Sequence, residues 1–340
     1  MSEKTAVVLG TGAWGTTFAQ VLADAGHEVI VWGRNPATVE FINEGENPMY
    51  LPGVTLPGGV RATTDIDEAM ATNPALVVVA VPSYAVEEVV SKAHVADTDA
   101  ILVSLVKGID LDTYRMMVQV IAEAAGVRDD RVVAVSGPNL SREIAQRQPA
   151  AAAVASTSFE SARMVAQFCH TQYFRFYVST DVVGCEISGA TKNVIAMAIG
   201  AAEGMGLGAN TRATLISRGL AEMTRLGIAL GAEPGTFSGL AGVGDLVATC
   251  SSKLSRNYSL GYHLGQGKSL KAALLLLPGV AEGARSALPI LELAERFDVD
   301  MPITRGVVSV LHHGATAEEM GNMLLSRPQK TDGWEIELLD

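Results

Sequence analysis

The cation whose surroundings most invite chemistry is Lys192. It stands in the run ISGATKNVIAMAIG and is the only charged residue between Glu186 and Glu203. A buried ammonium group without a partner is costly, and the small neighbours Gly189 and Ala190 leave room for a ligand. Desolvation or a second cation lowers a lysine from about 10.4 toward neutrality, where it can give and take a proton. The same residue also reads as a lysine snorkelling from a helix edge.

A second cluster spans residues 239–258, GLAGVGDLVATCSSKLSRNY. Asp245 follows three glycines, so backbone and carboxylate can crowd around a ligand. Ser255 has the type and place of an N-cap for a helix opening at Arg256. A helix N-terminus flanked by Lys253, Arg256 and Asn257 suits a phosphate group, although such a run is also an ordinary solvated basic turn. Two loops complete the set. VKGID, with Lys107, follows one apolar run; SGPNLS, with Gly137, Asn139 and Ser141, follows another. Both fall beyond the carboxyl ends of strands, where open α/β sheets bind ligands, and both also read as surface turns.

Residues 10–15 read GTGAWG, between the apolar run Val7-Val8-Leu9 and a helical stretch. In that context a G-x-G-x-x-G motif is a dinucleotide signature. Gly10 permits the tight turn, Gly12 lets backbone approach a pyrophosphate, and Gly15 lets helix pack on strand. Ala13 and Trp14 lie inside the same turn. The helix N-terminus offers free N–H groups to the phosphates. The second strand ends VWGR, with Gly33 near the place where NAD-selective sites carry an acid, followed by Arg34. Nothing there repels a 2′-phosphate and Arg34 can pair with one, so NADPH is expected to be accepted alongside NADH. Arg34 facing solvent is the alternative.

The elements needed to position these residues are legible in outline. Apolar β-type runs occur at 6–9, 28–32, 76–81, 100–105 and 131–135, with helical spacing at 14–25, 85–93 and 113–124. This alternation predicts an α/β fold with a Rossmann-like parallel sheet covered on both faces. Two more strands are expected at 150–155 and 175–178. Beyond Asp181 the pattern turns helical, with packed helices at 211–230 and 287–296. We therefore expect a dinucleotide-binding domain at 1–181 and an all-helical substrate-binding domain at 182–340, with a loosely ordered polar tail from Arg327.

Bulk properties narrow the function. The 340 residues carry a formal net charge of −12, with 48% hydrophobic and 18% charged residues. That is a globular composition, and the charge argues against general nucleic-acid binding. It leaves room for a small anion held by local cations. Cys169, Cys185 and Cys250 have neither disulfide nor metal-ligand spacing and read as small buried hydrophobes. The six histidines form no metal pattern. No signal-peptide order opens the chain, and no uninterrupted apolar run reaches the roughly 18–20 residues of a membrane span. A cytoplasmic enzyme is expected, with an isologous homodimer as the default assembly.

The motifs occur in a definite order: GTGAWGT, VPS at 81–83, KG at 107–108, SGPN at 136–139, ATKNVIA at 190–196, GLGAN at 206–210, TRATLISRGLAEM, GLAGVGDLVATC, SRN at 255–257 and VAEG at 280–283. This series resembles the soluble bacterial NAD(P)-dependent glycerol-3-phosphate dehydrogenases, from about Ala6 to Arg327. The resemblance implies an active site in a cleft between a Rossmann-like and a helical domain. It also implies reversible interconversion of dihydroxyacetone phosphate and sn-glycerol 3-phosphate, a phospholipid precursor. It makes Lys192 the proton donor and acceptor. It assigns Trp14, Arg34, Lys107, Ser141, Arg256, Val280 and Glu282 to the cofactor, and Lys107, Gly137, Asn139, Asp245, Ser255, Arg256 and Asn257 to the substrate. The chain departs from the family pattern at Asn139-Leu140-Ser141, where Ser/Thr-Phe-Ala is usual, and at Val106, where Thr is common. The hydroxyl at 139 becomes an amide and a hydroxyl appears at 141; both can hydrogen-bond.

Overall fold

The computed structural model describes residues 4–277 and 279–327. The strands are β1 (Thr5–Leu9), β2 (Glu28–Trp32), β3 (Glu46–Asn47), β4 (Leu51–Thr55), β5 (Val60–Thr63), β6 (Leu76–Val79), β7 (Ile101–Ser104), β8 (Val132–Ser136), β9 (Ala150–Ala155) and β10 (Phe174–Ser179). Helices α1 (Ala13–Asp24), α2 (Pro36–Asn43), α3 (Ile66–Met70), α4 (Val86–Lys92), α5 (Met117–Ala125), α6 (Ser141–Ala145) and α7 (Phe159–Phe168) are interspersed. The rest is helical: α8 (Val182–Gly204), α9 (Ala209–Ala229), α10 (Pro234–Phe237), α11 (Asp245–Ser251), α12 (Arg256–Gly265), α13 (Leu270–Leu275), α14 (Glu282–Arg296), α15 (Pro302–His312) and α16 (Ala317–Leu325).

Eight strands form one sheet in the order β10-β9-β8-β7-β6-β1-β2-β5; β3 and β4 pair separately. Period-two side-chain alternation explains its double burial. Ala6 and Val8 of β1, with Leu76 and Val78 of β6, join Phe18 and Leu22 of α1 on one face. Val7, Leu9, Val77 and Val79 meet Val86 and Val90 of α4 and Ile121 of α5 on the other. Every residue of β6 and β8 is buried, so these strands read as continuous apolar runs.

The sheet differs from the all-parallel expectation at one place. β8 and β9 pair antiparallel, Ala134 opposite Ala155, while β9 and β10 run parallel. The connection between β8 and β9 holds only the five-residue α6, not a long crossover helix. The strand expected at 76–81 ends at Val79, freeing Val81–Ser83 for a loop. The helix expected at 113–124 begins at Met117, because residues 110–116 fold back, with Asp110 N donating to Arg115 O at 2.9 Å. Of the polar tail, residues 328–340 lie outside the described residues.

Helix α8 is the axis of the helical region. It is long and apolar enough to cross a membrane by composition, yet 94% of its apolar window is buried inside the protein. Glycines let α12 lie directly on it. A Cβ at Gly200 would sit 2.0 Å from Tyr258 O, and one at Gly261 2.0 Å from Met197 O. Close backbone approach fixes the spacing between Lys192 on α8 and Arg256 at the start of α12.

Candidate active site

The chain reverses its winding between β1 and β6, and the loops after these two strands part there. Such a switch point opens a crevice at the carboxyl ends of the strands. Its floor is the glycine turn. A Cβ at Gly10 would lie 2.7 Å from Ala80 O, and one at Gly15 would lie 2.3 Å from Gly10 O. Gly12 is different: a Cβ there meets nothing within 4 Å. Its backbone is ordinary extended chain, and no side chain caps the N-terminus of α1. Open space and unpaired N–H groups at the start of a twelve-residue helix fit a pyrophosphate. Asn47 braces the turn from outside, donating to Thr11 O at 2.9 Å and Thr16 Oγ1 at 2.8 Å.

Gly33 has a packing reason. A Cβ there would fall 2.3 Å from Thr11 Cγ2, so the glycine turn itself bars an acidic side chain at this position. Arg34 beside it is exposed. Trp14 packs edge-on against Phe18 and Phe174, and its buried Nε1 finds no acceptor among the described residues. Both amide atoms of Asn139 are also buried without partners. Buried polar atoms are normally satisfied, so both side chains keep unused hydrogen-bonding capacity.

Across the crevice lies a charge cluster. Lys192 Nζ donates to Asp245 Oδ1 at 2.5 Å and to Thr249 Oγ1 at 2.7 Å. Lys107 Nζ donates to Asp245 Oδ2 at 2.6 Å and to Gly137 O at 3.1 Å. One carboxylate, its side chain 2% exposed, thus holds two ammonium groups from distant parts of the sequence. Burial pushes Lys192 down to about 8; Lys107 pushes the same way and Asp245 opposes. Gly189 matters to this arrangement, since a Cβ there would meet Ser136 Oγ at 3.2 Å and Lys107 Cγ at 3.5 Å.

The basic turn folds as a helix start. Ser255 caps α12 by accepting from Tyr258 N at 3.2 Å. Arg256 follows with its side chain exposed, its charged form disfavoured by partial desolvation and supported by Glu282. Asn257 Oδ1 accepts from Gly283 N at 3.0 Å, which leaves its Nδ2 for a ligand. Gly283 cannot carry a side chain, because a Cβ would lie 2.8 Å from the Asn193 carbonyl. Val280, 36% exposed, and Glu282 edge the same region.

The structure therefore joins Lys107, Gly137, Lys192 and Asp245 directly, while Glu282 acts on Arg256 through its charge alone. Arg34 and Ser141 stand apart from that cluster; Ser141 O accepts from Thr17 Oγ1 at 3.2 Å on α1. Thr249 was not singled out from the sequence. It donates to Asp245 Oδ1 at 3.2 Å while accepting from Lys192, and its position four residues after Asp245 on one helix face was the available signal. The three cysteines are buried, and burial pushes the Cys185 and Cys250 thiols up to about 12.

Comparison with known proteins agrees with this geometry. The family models described as NAD-dependent glycerol-3-phosphate dehydrogenase N-terminus and C-terminus match residues 5–162 and 181–322. A glycerol-3-phosphate dehydrogenase [NAD(P)+] of Streptomyces griseus is 52% identical over 334 residues, covering 96% of this chain and 98% of that protein. The corresponding protein of Corynebacterium aurimucosum is 50% identical over 328 residues, with the same coverage. The crystal structure of glycerol-3-phosphate dehydrogenase from Coxiella burnetii superposes with a TM-score of 0.90 at 34% identity, covering 96% of this chain and 99% of that one. D-mandelate dehydrogenase shares the fold alone, at 13% identity and a TM-score of 0.59. The chain belongs to the NAD-dependent glycerol-3-phosphate dehydrogenase family.

Proposed function

We propose that this enzyme reduces dihydroxyacetone phosphate to sn-glycerol 3-phosphate with NADH or NADPH, and that Lys192 handles the proton. The observation that carries this reading is the Lys107–Asp245–Lys192–Thr249 cluster facing the glycine-turn crevice. In it, residues 1–181 form the dinucleotide-binding domain and 182–340 the substrate-binding domain.

The dinucleotide, when bound, supplies the hydride. Gly10, Gly12, Ala13, Trp14 and Gly15 hold its pyrophosphate end. Gly33 and Arg34 flank the adenosine ribose, and Lys107, Ser141, Arg256, Val280 and Glu282 line its remaining length. Charge that grows on the ketone oxygen is met by the Lys192 ammonium, which then donates its proton there. Asp245 keeps Lys192 aimed and charged, and Thr249 passes a hydrogen bond between them. Lys107, Gly137 and Asn139 border the carbonyl end of the substrate. Ser255, Arg256, Asn257 and the start of α12 hold its phosphate, and this remote binding positions the carbonyl. The reading includes a cytoplasmic homodimer supplying phospholipid precursor.

Lys192→Ala tests it. General acid catalysis is worth about 10²–10⁴-fold, so the variant should lose at least about a hundredfold in kcat with dinucleotide affinity intact. Near-normal turnover of dihydroxyacetone phosphate by Lys192→Ala would refute the assignment.

A further inference from the structure

Glu282 is held from the far side of the crevice. Ser83, in the loop after β6, donates from Oγ to Glu282 Oε2 at 2.9 Å across 199 residues of sequence. Its neighbour Tyr84 carries the Arg285 guanidinium over its ring at 4.6 Å, so two adjacent loop residues grip the first turn of α14. Gly108, beside Lys107, closes the gap between them. A Cβ there would lie 3.4 Å from Ser286 Oγ and 3.5 Å from Ser83 Cβ. Sheet and helical regions are thus clasped at the mouth of the crevice, by side chains outside both the glycine turn and the lysine cluster.

Ser83 can donate only one hydrogen, and it is spent on Oε2. No described residue donates to Oε1, which stays available to a ligand hydroxyl or amide N–H. The same carboxylate supports the charge of Arg256. A glutamate side chain has three rotatable bonds, and unless one oxygen is fixed the other has no defined direction.

We infer that Ser83 is a positioning residue for dinucleotide binding: its hydrogen bond fixes Glu282 so that Oε1 accepts from the cofactor while the carboxylate stays close to Arg256. The inference rests on the placement of Glu282 at the cofactor in the proposed function. Ser83 itself touches neither cofactor nor substrate.

The test uses the full chain, with NADH and NADPH as probes, read by quenching or enhancement of their own fluorescence and by steady-state rates. Ser83→Ala should weaken the Kd and raise the KM of both dinucleotides about tenfold, the worth of a hydrogen bond to a charged group. Its kcat at saturating dinucleotide should stay within about twofold, because the lysine cluster is intact. Ser83→Thr, which keeps the hydroxyl, should restore affinity. Glu282→Gln should weaken binding as well, and adding Ser83→Ala to it should cost little more. Unchanged dinucleotide affinity in Ser83→Ala overturns the inference. So do additive losses in the double variant, or a fall in kcat that Thr does not repair. If instead Glu282→Gln binds dinucleotide normally while Ser83→Ala does not, the placement of Glu282 at the cofactor is what has failed.

Discussion

Replacing Asp245 by asparagine isolates the electrostatic part of the account. The substitution keeps the shape and removes the one negative charge between Lys107 and Lys192. Lys192 is already pushed down to about 8 by burial, and Asp245 is what opposes that fall. Loss of an opposite charge at hydrogen-bond distance shifts a partner by about 1–3 pKa units. Lys192 in Asp245→Asn would therefore titrate well below its wild-type value. At pH 7.5 most of the Lys192 population then loses its proton, so reduction of dihydroxyacetone phosphate slows by about tenfold or more. The sign is specific. In the wild type, kcat for reduction declines as pH rises through about 8, since Lys192 must carry its proton; kcat for glycerol 3-phosphate oxidation rises through the same region. In Asp245→Asn both inflections move acidward, and the reductive rate recovers as pH falls. The assay is kcat against pH in both directions, with folding checked by circular dichroism at each end. A variant whose inflection stays near 8, with kcat scaled down equally at every pH, would show that Asp245 acts by geometry alone.

Other expectations follow from the same structure. Arg34→Ala should lower affinity for NADPH more than for NADH, measured as the ratio of their KM values, if the proposed placement of this exposed cation at a 2′-phosphate is right. Gly261→Ala should destabilise by about 1–3 kcal/mol or more in thermal or denaturant unfolding, since its methyl meets Met197 O at 2.0 Å. Glu222 accepts from Ile303 N at 2.5 Å and Thr304 N at 3.1 Å, and burial pushes it from 4.5 up to about 7. The folded state thus holds an extra proton between those values, and stability contributed by Glu222 falls as pH rises through about 7. Glu222→Gln should flatten that slope, and Glu222→Ala should cost about 2–4 kcal/mol by stranding the helix-start N–H groups.

How far the sequence spoke depends on whether a feature is local. The runs around β1, β2, β6 and β7 are legible because burial on both faces demands β-branched residues throughout. The glycine turn is legible because three glycines in fixed spacing answer one steric problem. Strands β3, β4 and β5 were missed: they are short, and β4 is largely exposed, so no periodic signal rises above turn chemistry. The antiparallel β8–β9 pair was also hidden, since direction depends on where the chain re-enters the sheet. In the site, Lys192 announced itself as a lone cation in apolar surroundings. Its partners were harder to read. Lys107 and Asp245 are 138 residues apart, and Ser83 and Glu282 are 199 apart, so only the fold reveals that they touch. The glycines at 200, 261 and 283 let backbones and carbonyls meet, a role set by contacts between distant elements.

The proposed function has the crevice transfer hydride to a ketone whose phosphate is held at Ser255–Arg256–Asn257. Its most direct test is the loss of reduced-nicotinamide absorbance by the purified chain with dihydroxyacetone phosphate, against unphosphorylated dihydroxyacetone, using NADH and NADPH in parallel. Rapid oxidation that requires the phosphate is the expected result. Folded, dinucleotide-bound protein that oxidises neither cofactor with the phosphate ester, or turns over both ketones equally, would contradict it.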